Sequence, residues 1–171
     1  MTARDRFPTV VHTLVLRADV PPGTGVPLDT GVPPAAGQDL PPGTEVLLLR
    51  RAGTGFGDGL YQPPGGYVNA GESPSAAARR ECKEEADIVI AAADLLPVCV
   101  MPYGSPGGQG VDFIMMAWRY DGVARLGEPH KADHIGWFPV AQLPSGAVPF
   151  LASALACLQA GNWYHEFGFA P

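Results

Sequence analysis

Four of the chain's seven glutamates fall within fourteen residues: Glu72, Glu81, Glu84 and Glu85. The last three have the spacing i, i+3, i+4, which would place their carboxylates on one face of an α-helix. Ser73 followed by Pro74 predicts the start of that helix, because serine caps helix N-termini and proline suits the first helical position. The segment 74–86 is therefore predicted to be a helix with one acidic face.

A proline- and glycine-rich turn, Pro63-Pro64-Gly65-Gly66, precedes this helix, and its glycines would let the backbone approach a ligand closely. Neighbouring carboxylates repel each other by a few tenths of a kcal/mol per pair. A hard cation, Mg²⁺ or Mn²⁺, would offset that repulsion through oxygen ligands. The alternative is an ordinary solvated helix face, with counter-charges from three neighbouring residues, Arg79, Arg80 and Lys83.

Apolar and β-branched segments elsewhere predict a set of strands, at 9–17, 45–51, 98–101, 111–120 and 135–140. A second helix is predicted over 149–161, where Leu151, Leu155 and Leu158 recur at helical spacing. Strands mixed with two helices indicate an α/β or α+β fold.

Glycine and proline are unusually frequent, with 22 and 19 residues respectively. Many of them lie in residues 19–44, where they exclude a helix or a central strand. We expect this segment to be a long surface loop inserted between two strands of one domain that spans 1–171, and to be the most mobile part of the chain. A length of 171 residues fits one domain.

The formal net charge of −6 argues against a protein that binds nucleic acid through phosphate contacts, but allows phosphate substrates where a metal screens the charges. No apolar stretch is long enough to span a membrane, and a signal peptide is not expected. The three cysteines are odd in number and widely spaced, which argues against a disulfide framework. A cytoplasmic protein is therefore expected.

The acidic helix and its glycine turn resemble the signature of the Nudix hydrolases, including the MutT-like enzymes. The pattern G-x5-E-x7-R-E-U-x-E-E-x-G-U, where U is aliphatic, is matched by Gly66, Glu72, Arg80, Glu81, Glu84 and Glu85. Two positions depart from it, because Asp87 replaces the glycine and Cys82 replaces an aliphatic residue. Aspartate tolerates a positive φ better than most residues, and cysteine can pack as a small apolar side chain.

The resemblance implies an α/β/α sandwich with a mixed sheet, and a Mg²⁺-dependent hydrolase that cleaves a nucleoside diphosphate linked to another group. By family position, Glu81 and Glu85 are the firmest metal ligands and Glu84 follows. The carbonyl of Gly66 is implied as a further ligand.

The same resemblance implies that Arg80 orients Glu81, and that Glu72 closes the junction between the loop and the helix by pairing with a basic residue. The implied general base is Glu81 or Glu84, with Glu128 as a candidate outside the helix.

A second segment, with Glu128-Pro129-His130-Lys131 followed by Trp137, resembles nucleoside-triphosphate diphosphatases of this family. Trp137 is accordingly predicted to stack on a nucleobase, with a core position on a strand as the alternative. His12 on the first strand could face the substrate, although a structural histidine is the alternative.

The expected reaction converts a nucleoside triphosphate or a related compound into a monophosphate and pyrophosphate. Nucleotide sugars, ADP-ribose and isoprenyl diphosphates remain alternative substrates, and a non-catalytic ligand-binding module is a third possibility. The expected partners are a small diphosphate or nucleotide and, in a homodimer, a second copy of the chain.

Overall fold

The computed structural model describes residues 7–18, 36–105 and 108–169. Seven strands and two helices follow one another in the described chain. The strands are β1 (Thr9–Ala18), β2 (Thr44–Arg51), β3 (Tyr61–Gln62), β4 (Gly65–Tyr67), β5 (Leu95–Ser105), β6 (Gly108–Ala117) and β7 (Ala132–Pro139). The helices are α1 (Pro74–Ala86) and α2 (Pro149–Ala160), and a short 3₁₀ helix spans Ala92–Asp94.

The strands form one mixed sheet with the order β3-β2-β1-β6-β5, to which β4 is added beside β1 and β7 beside β2. Strands β1 and β6 are parallel, whereas the other strand pairs are antiparallel. Along one edge, β1 pairs with two different strands. Residues 10–12 pair with β4, and residues 16–18 pair with β2. The sheet therefore divides at β1 into two wings.

Helix α2 covers one face of the sheet through large apolar side chains. Leu151, Leu155 and Leu158, which the sequence places at helical spacing, are all buried there. They pack against inward-facing residues of β1 such as Leu14 and Leu16.

Helix α1 covers the opposite face with much smaller side chains. Its buried apolar residues are Ala77, Ala78, Cys82 and Ala86. Val11 and Val15 of β1 alternate with the leucines of the other face and pack against this helix. The molecule is thus an α/β/α sandwich with a core on each side of the sheet, as the sequence predicts.

Local signals explain where both helices begin and end. The Ser73 side chain accepts a hydrogen bond from the Ala76 amide at 3.2 Å, and Pro74 occupies the first turn of α1. The helix ends at Asp87, which has a left-handed φ of 54° as expected from its place in the sequence pattern. Helix α2 ends in the same way at Gly161, with φ 67°.

The bounds of β1, β2, α1 and α2 agree with the sequence predictions to within one residue, whereas β5, β6 and β7 each begin three residues earlier than predicted, and two short strands were missed. Strands β3 and β4 have only two and three residues and lie where the sequence suggests a glycine-rich loop. Such strands are too short to show an alternating pattern. No helix in the described part of the chain has the length and apolar character needed to cross a membrane.

The predicted loop at 19–44 is described only in part, since residues 19–35 lie outside the described residues. The remaining segment is attached to the body of the protein. The Gly37 amide donates a hydrogen bond to the Leu158 carbonyl at 2.8 Å, and Leu40 packs against the core beneath α2.

Candidate functional site

The glycine strand β4 lies directly against the acidic face of α1. A Cβ atom on Gly66 would lie 2.5 Å from Oε1 of Glu81, so any other residue there would displace that carboxylate. The amide of Gly65 donates a hydrogen bond to Oε2 of Glu85 at 2.9 Å. The turn and the helix, which belong to one sequence motif, therefore meet at Glu81 and Glu85.

Arg80 organises the remaining carboxylates of the cluster. Its Nε and Nη2 atoms donate to the two oxygens of Glu72 at 2.9 and 3.0 Å, and Nη2 also reaches the Tyr67 carbonyl at 3.1 Å. Its Nη1 atom donates to Glu81 at 2.7 Å and to Glu84 at 3.0 Å. One guanidinium thus fixes the loop before the helix and orients two carboxylates on it.

These contacts stabilise the ionised form of the Glu72 side chain. Hydrogen bonds from Arg80 and from the Asn69 amide lower the pKa of Glu72 to about 2. Glu72 is therefore ionised near neutral pH. It pairs with a basic residue, Arg80, at the junction between loop and helix, as the family resemblance implies.

Glu85 has the opposite environment. Burial raises the pKa of Glu85 to about 7, the Gly65 amide opposes that shift, and the negative charge of Glu81 adds to it. A partly buried carboxylate next to a second carboxylate, with no ion-pair partner among the described residues, is a position where a cation would be stabilising.

The loop before β7 brings Glu128 to the same end of α1. The Gly127 amide donates to the Glu85 carbonyl at 2.9 Å, and a side chain at Gly127 would collide with the helix backbone. Glu128 accepts a hydrogen bond from Lys131 at 2.9 Å, and its charge contributes to the raised pKa of Glu85. The structure therefore places Glu128 near the helix carboxylates.

His12 lies on β1 with its ring partly buried, and its Nδ1 is 2.7 Å from Oδ2 of Asp112. Burial lowers the pKa of His12, but the carboxylates of Asp112 and Glu85 outweigh burial and the pKa is raised. His12 is therefore within electrostatic range of the carboxylate cluster.

The structure does not bring Trp137 to the cluster. Trp137 on β7 pairs with Leu47 on β2, and its ring packs on Tyr120 and under the Arg17 guanidinium, 4.3 Å from the ring centroid. Arg17 is six residues along β1 from Val11, which pairs with Gly66, and that separation corresponds to about 20 Å of strand. This placement does not support the predicted stacking on a nucleobase, and we leave Trp137 out of the proposed binding site.

The carboxylates are oxygen ligands of the kind that a divalent cation prefers. Among the described residues, no three histidine, cysteine, aspartate or glutamate side chains converge closely enough to hold a metal. Arg80 holds Glu81 and Glu84, while Glu85 and the Gly66 backbone lie against Glu81. A cation would enter between groups that are already neighbours and are all oxygen donors.

Comparison with known protein families identifies this arrangement. The sequence model described as the NUDIX domain matches residues 38–157, more than two thirds of the chain, and the match includes both β4 and α1. The chain belongs to the NUDIX family. The resemblance drawn from the glycine and glutamate pattern is thus confirmed.

A curated relative of this NUDIX protein is an ADP-ribose pyrophosphatase from Methanocaldococcus jannaschii. The two sequences are 30% identical over 87 residues, which cover 51% of each chain. The match therefore spans about half the length of that relative.

Two solved structures share the fold at low sequence identity. A MutT NUDIX hydrolase from Burkholderia pseudomallei superimposes with a TM-score of 0.69 at 20% identity, over 90% of this chain and 99% of that one. The NUDIX domain of Shewanella oneidensis NrtR, complexed with ADP ribose, gives 0.63 at 18% identity over 89% and 86%. Both show that the sandwich is the NUDIX fold.

Two residues near the site, Asp112 and Arg51, were not predicted from the sequence. Asp112 is a single acid at the start of the apolar run of β6, and a carboxylate in such a run is a signal that could have revealed it. Arg51 donates to Gln62 and to the Phe56 carbonyl in the loop after β2. Nothing in their spacing connects these two residues before the fold is known.

Proposed function

We propose that this NUDIX protein is a divalent-metal-dependent hydrolase of a phosphoric anhydride in a nucleoside diphosphate derivative. The observation that carries the proposal is the packing of Glu81 and Glu85 against the Gly65–Gly66 backbone, with Arg80 orienting Glu81 from the other side. A solvated helix face would not need the buried Glu81, or a neighbouring strand in which Gly65 has no room for a side chain.

The metal would be held by Glu81 and Glu85, with the Gly66 carbonyl and Glu84 as further ligands. Mg²⁺ or Mn²⁺ would neutralise the diphosphate and lower the pKa of a bound water. The net charge of −6 makes such a cation necessary for an anionic substrate to approach four neighbouring glutamates.

The chain's own residues divide the remaining work. Arg80 holds Glu81 in place and does not contact the substrate, since its donors are occupied by Glu72, Tyr67, Glu81 and Glu84. Glu84 is more exposed than Glu81, at 47% against 11% of the side chain. A water molecule can therefore reach Glu84, which we assign as the general base, with Glu81 and then Glu128 as the alternatives.

The reaction adds one water molecule across the anhydride. The water oxygen forms a bond to one phosphorus, the bond from that phosphorus to the bridging oxygen breaks, and the released phosphate keeps the bridging oxygen. The base accepts a proton from the water and passes it to solvent. Two phosphomonoesters, or a monophosphate and pyrophosphate, result.

ADP-ribose is the first substrate to test, because the curated relative that shares 30% identity over 87 residues is named as an ADP-ribose pyrophosphatase. Nucleoside triphosphates are the second, because the segment around Glu128 and Lys131 resembles triphosphate diphosphatases of the family. The test measures products from ADP-ribose, nucleoside triphosphates, a nucleotide sugar and an isoprenyl diphosphate, with Mg²⁺, with Mn²⁺ and with a chelator.

We expect metal-dependent turnover of at least one nucleotide, with AMP and ribose 5-phosphate as the products from ADP-ribose. Glu85→Gln should abolish most of this turnover, whereas Glu166→Gln on the exposed tail is the matched control and should not change it. Tight ADP-ribose binding without turnover of any compound would instead indicate a ligand-binding module.

A further inference from the structure

His12 and Asp112 form a polar pair on the face of the sheet that α2 covers. Their strands, β1 and β6, are parallel neighbours, and the residues that follow at alternate positions on each strand are buried in the core under α2. Leu14 and Leu16 follow His12 in this way, and Ile114 follows Asp112. The pair therefore stands where the pattern of both strands calls for apolar side chains.

A purely structural role does not account for this pair. Asp112 is 4% exposed, and its Oδ1 atom is buried without a hydrogen-bond partner among the described residues. Burying a carboxylate that is only half satisfied is costly, and two apolar residues of similar size would pack there without that cost. Retaining the pair indicates that the imidazole has a task that Asp112 supports.

The geometry shows which atom of the imidazole is available. A carboxylate can only accept, so the contact at 2.7 Å places a proton on Nδ1 of His12. The described residues supply no hydrogen bond to Nε2, and the His12 side chain keeps 12% of its surface exposed. Asp112 therefore orients the ring with Nε2 as its free polar atom.

This free edge of the ring lies on the α2 face, across the Gly65 backbone from the carboxylates on the α1 face. A Cβ atom on Gly65 would lie 2.6 Å from Cδ2 of His12, the carbon bonded to Nε2. The amide of that glycine binds Glu85. On its other side the His12 ring packs against Phe150, with the ring centroids 4.6 Å apart. One strand residue thus separates the imidazole edge from the carboxylates.

We propose that His12, oriented by Asp112, is a specificity-determining residue whose Nε2 hydrogen-bonds the nucleoside part of the substrate next to the diphosphate. The inference rests on the proposed hydrolase function and names a residue that selects its substrate. A group with hydrogen-bonding atoms satisfies Nε2, whereas a hydrocarbon chain would bury Nε2 without a partner. The pair therefore selects nucleoside diphosphate derivatives and rejects isoprenyl diphosphates.

Two substitutions of His12 separate substrate binding from structure. His12→Asn keeps an amide near the position of Nδ1 and can still donate to Asp112, but it has no group at the position of Nε2. His12→Gln places its amide near Nε2 and loses the contact with Asp112. If the pair of His12 and Asp112 were only structural, Tm and KM would change together in both variants. The proposed role predicts that each variant changes one of these values more than the other.

The experiment measures Tm, and kcat and KM with Mg²⁺, for ADP-ribose and an isoprenyl diphosphate. We expect His12→Asn to keep Tm near that of the parent and to raise KM for ADP-ribose about tenfold or more, with a smaller change in kcat. Its KM for the isoprenyl diphosphate should not rise. His12→Gln should lower Tm and recover part of the KM for ADP-ribose.

An unchanged KM for ADP-ribose in His12→Asn would overturn the inference while leaving the hydrolase proposal intact. If the parent hydrolyses no diphosphate, calorimetric binding of ADP-ribose decides the matter. Weaker binding by His12→Asn would support the role of His12 and remove only the proposed hydrolysis. No binding by the parent would overturn both proposals.

Discussion

Helices α1 and α2 pack on opposite faces of the same sheet with side chains of very different size. The buried positions of α1 are mostly alanines and one cysteine, together with Glu81. Those of α2 include three leucines, Leu151, Leu155 and Leu158. Since the size of the contact residues sets how closely elements approach, α1 can lie near the sheet and bring its carboxylates against β4.

This difference assigns separate tasks to the two faces. The buried positions of α1 are occupied by small residues and by the carboxylate of Glu81, so this face buries little apolar surface area per helical turn. The α2 face fills its side with leucines, each of which contributes about 1.5–3 kcal/mol when fully buried. We therefore expect substitutions on α1 to change activity and substitutions on α2 to change stability.

The largest expected effect is on turnover, from Glu81→Gln on α1. Glutamine keeps the shape of the side chain and loses the charge that binds metal, so kcat should fall by about 10²–10⁴-fold. The far-ultraviolet circular dichroism should match that of the parent. Near-normal turnover in the purified variant would show that Glu81 has no catalytic role.

On the other face, Leu151→Ala should lower the free energy of unfolding by about 2–5 kcal/mol, because it leaves a cavity under α2. Chemical denaturation measures this change, and turnover per folded molecule should stay at the parent value. Val123→Ala is the control, since Val123 is 73% exposed and should change stability by less than about 0.5 kcal/mol. A large loss of kcat in the folded Leu151→Ala protein would contradict the division between the faces.

A change of pH should act on α1 through Glu85. Burial first, and then the charge of Glu81, raise the pKa of Glu85 from 4.5 to about 7. Metal binding requires the carboxylate, so the apparent affinity for Mg²⁺ should fall by up to about tenfold for each pH unit below 7. Calorimetry in buffers of different ionisation enthalpy would measure the proton released on binding.

The metal-free protein should respond in the opposite direction. Because the pKa of Glu85 is higher in the folded than in the unfolded state, the folded state holds more protons between these two pKa values. The free energy of unfolding contributed by Glu85 is therefore full below pH 4.5 and is lost as the pH rises through about 7. Glu85→Gln should remove this contribution, and a pH profile identical to that of the parent would refute it.

The smallest effect is expected at the end of α1, from Asp87→Gly. Glycine relieves the strain of a φ of 54° but removes ion pairs with Lys83 and Arg125. Both pairs are exposed and weak, so the two effects should offset each other to within about 1 kcal/mol. Asp87→Val cannot adopt this φ without strain and should destabilise the protein more, as thermal melts of both variants would show.

Local features of the chain made the helices predictable from sequence. The limits of α1 follow from the Ser73 cap and from the left-handed Asp87, and both depend on a few adjacent residues. The family resemblance implied that Glu72 pairs with a basic residue, and the structure identifies that residue as Arg80, eight positions along the same motif.

Long-range contacts could not be predicted in this way. His12 and Asp112 are 100 residues apart and meet only because β1 and β6 are parallel neighbours. The position of Trp137 depends on the register between β7 and β2, which places it near the end of β1 and away from Gly66. A residue pattern specifies which side chains are present but not which end of a strand they reach.

The close fit of Gly66 against Glu81 also bears on protein engineering. Helix α1 cannot be transplanted into another scaffold alone, because the backbone that packs against its Glu81 carboxylate belongs to β4. A Cβ atom at Gly66 would lie 2.5 Å from Oε1 of Glu81, so even one added methyl group at position 66 would displace this carboxylate. A graft would need to carry β4 and the register of β4 on β1, and a library that varied position 66 should favour glycine when it is selected for activity.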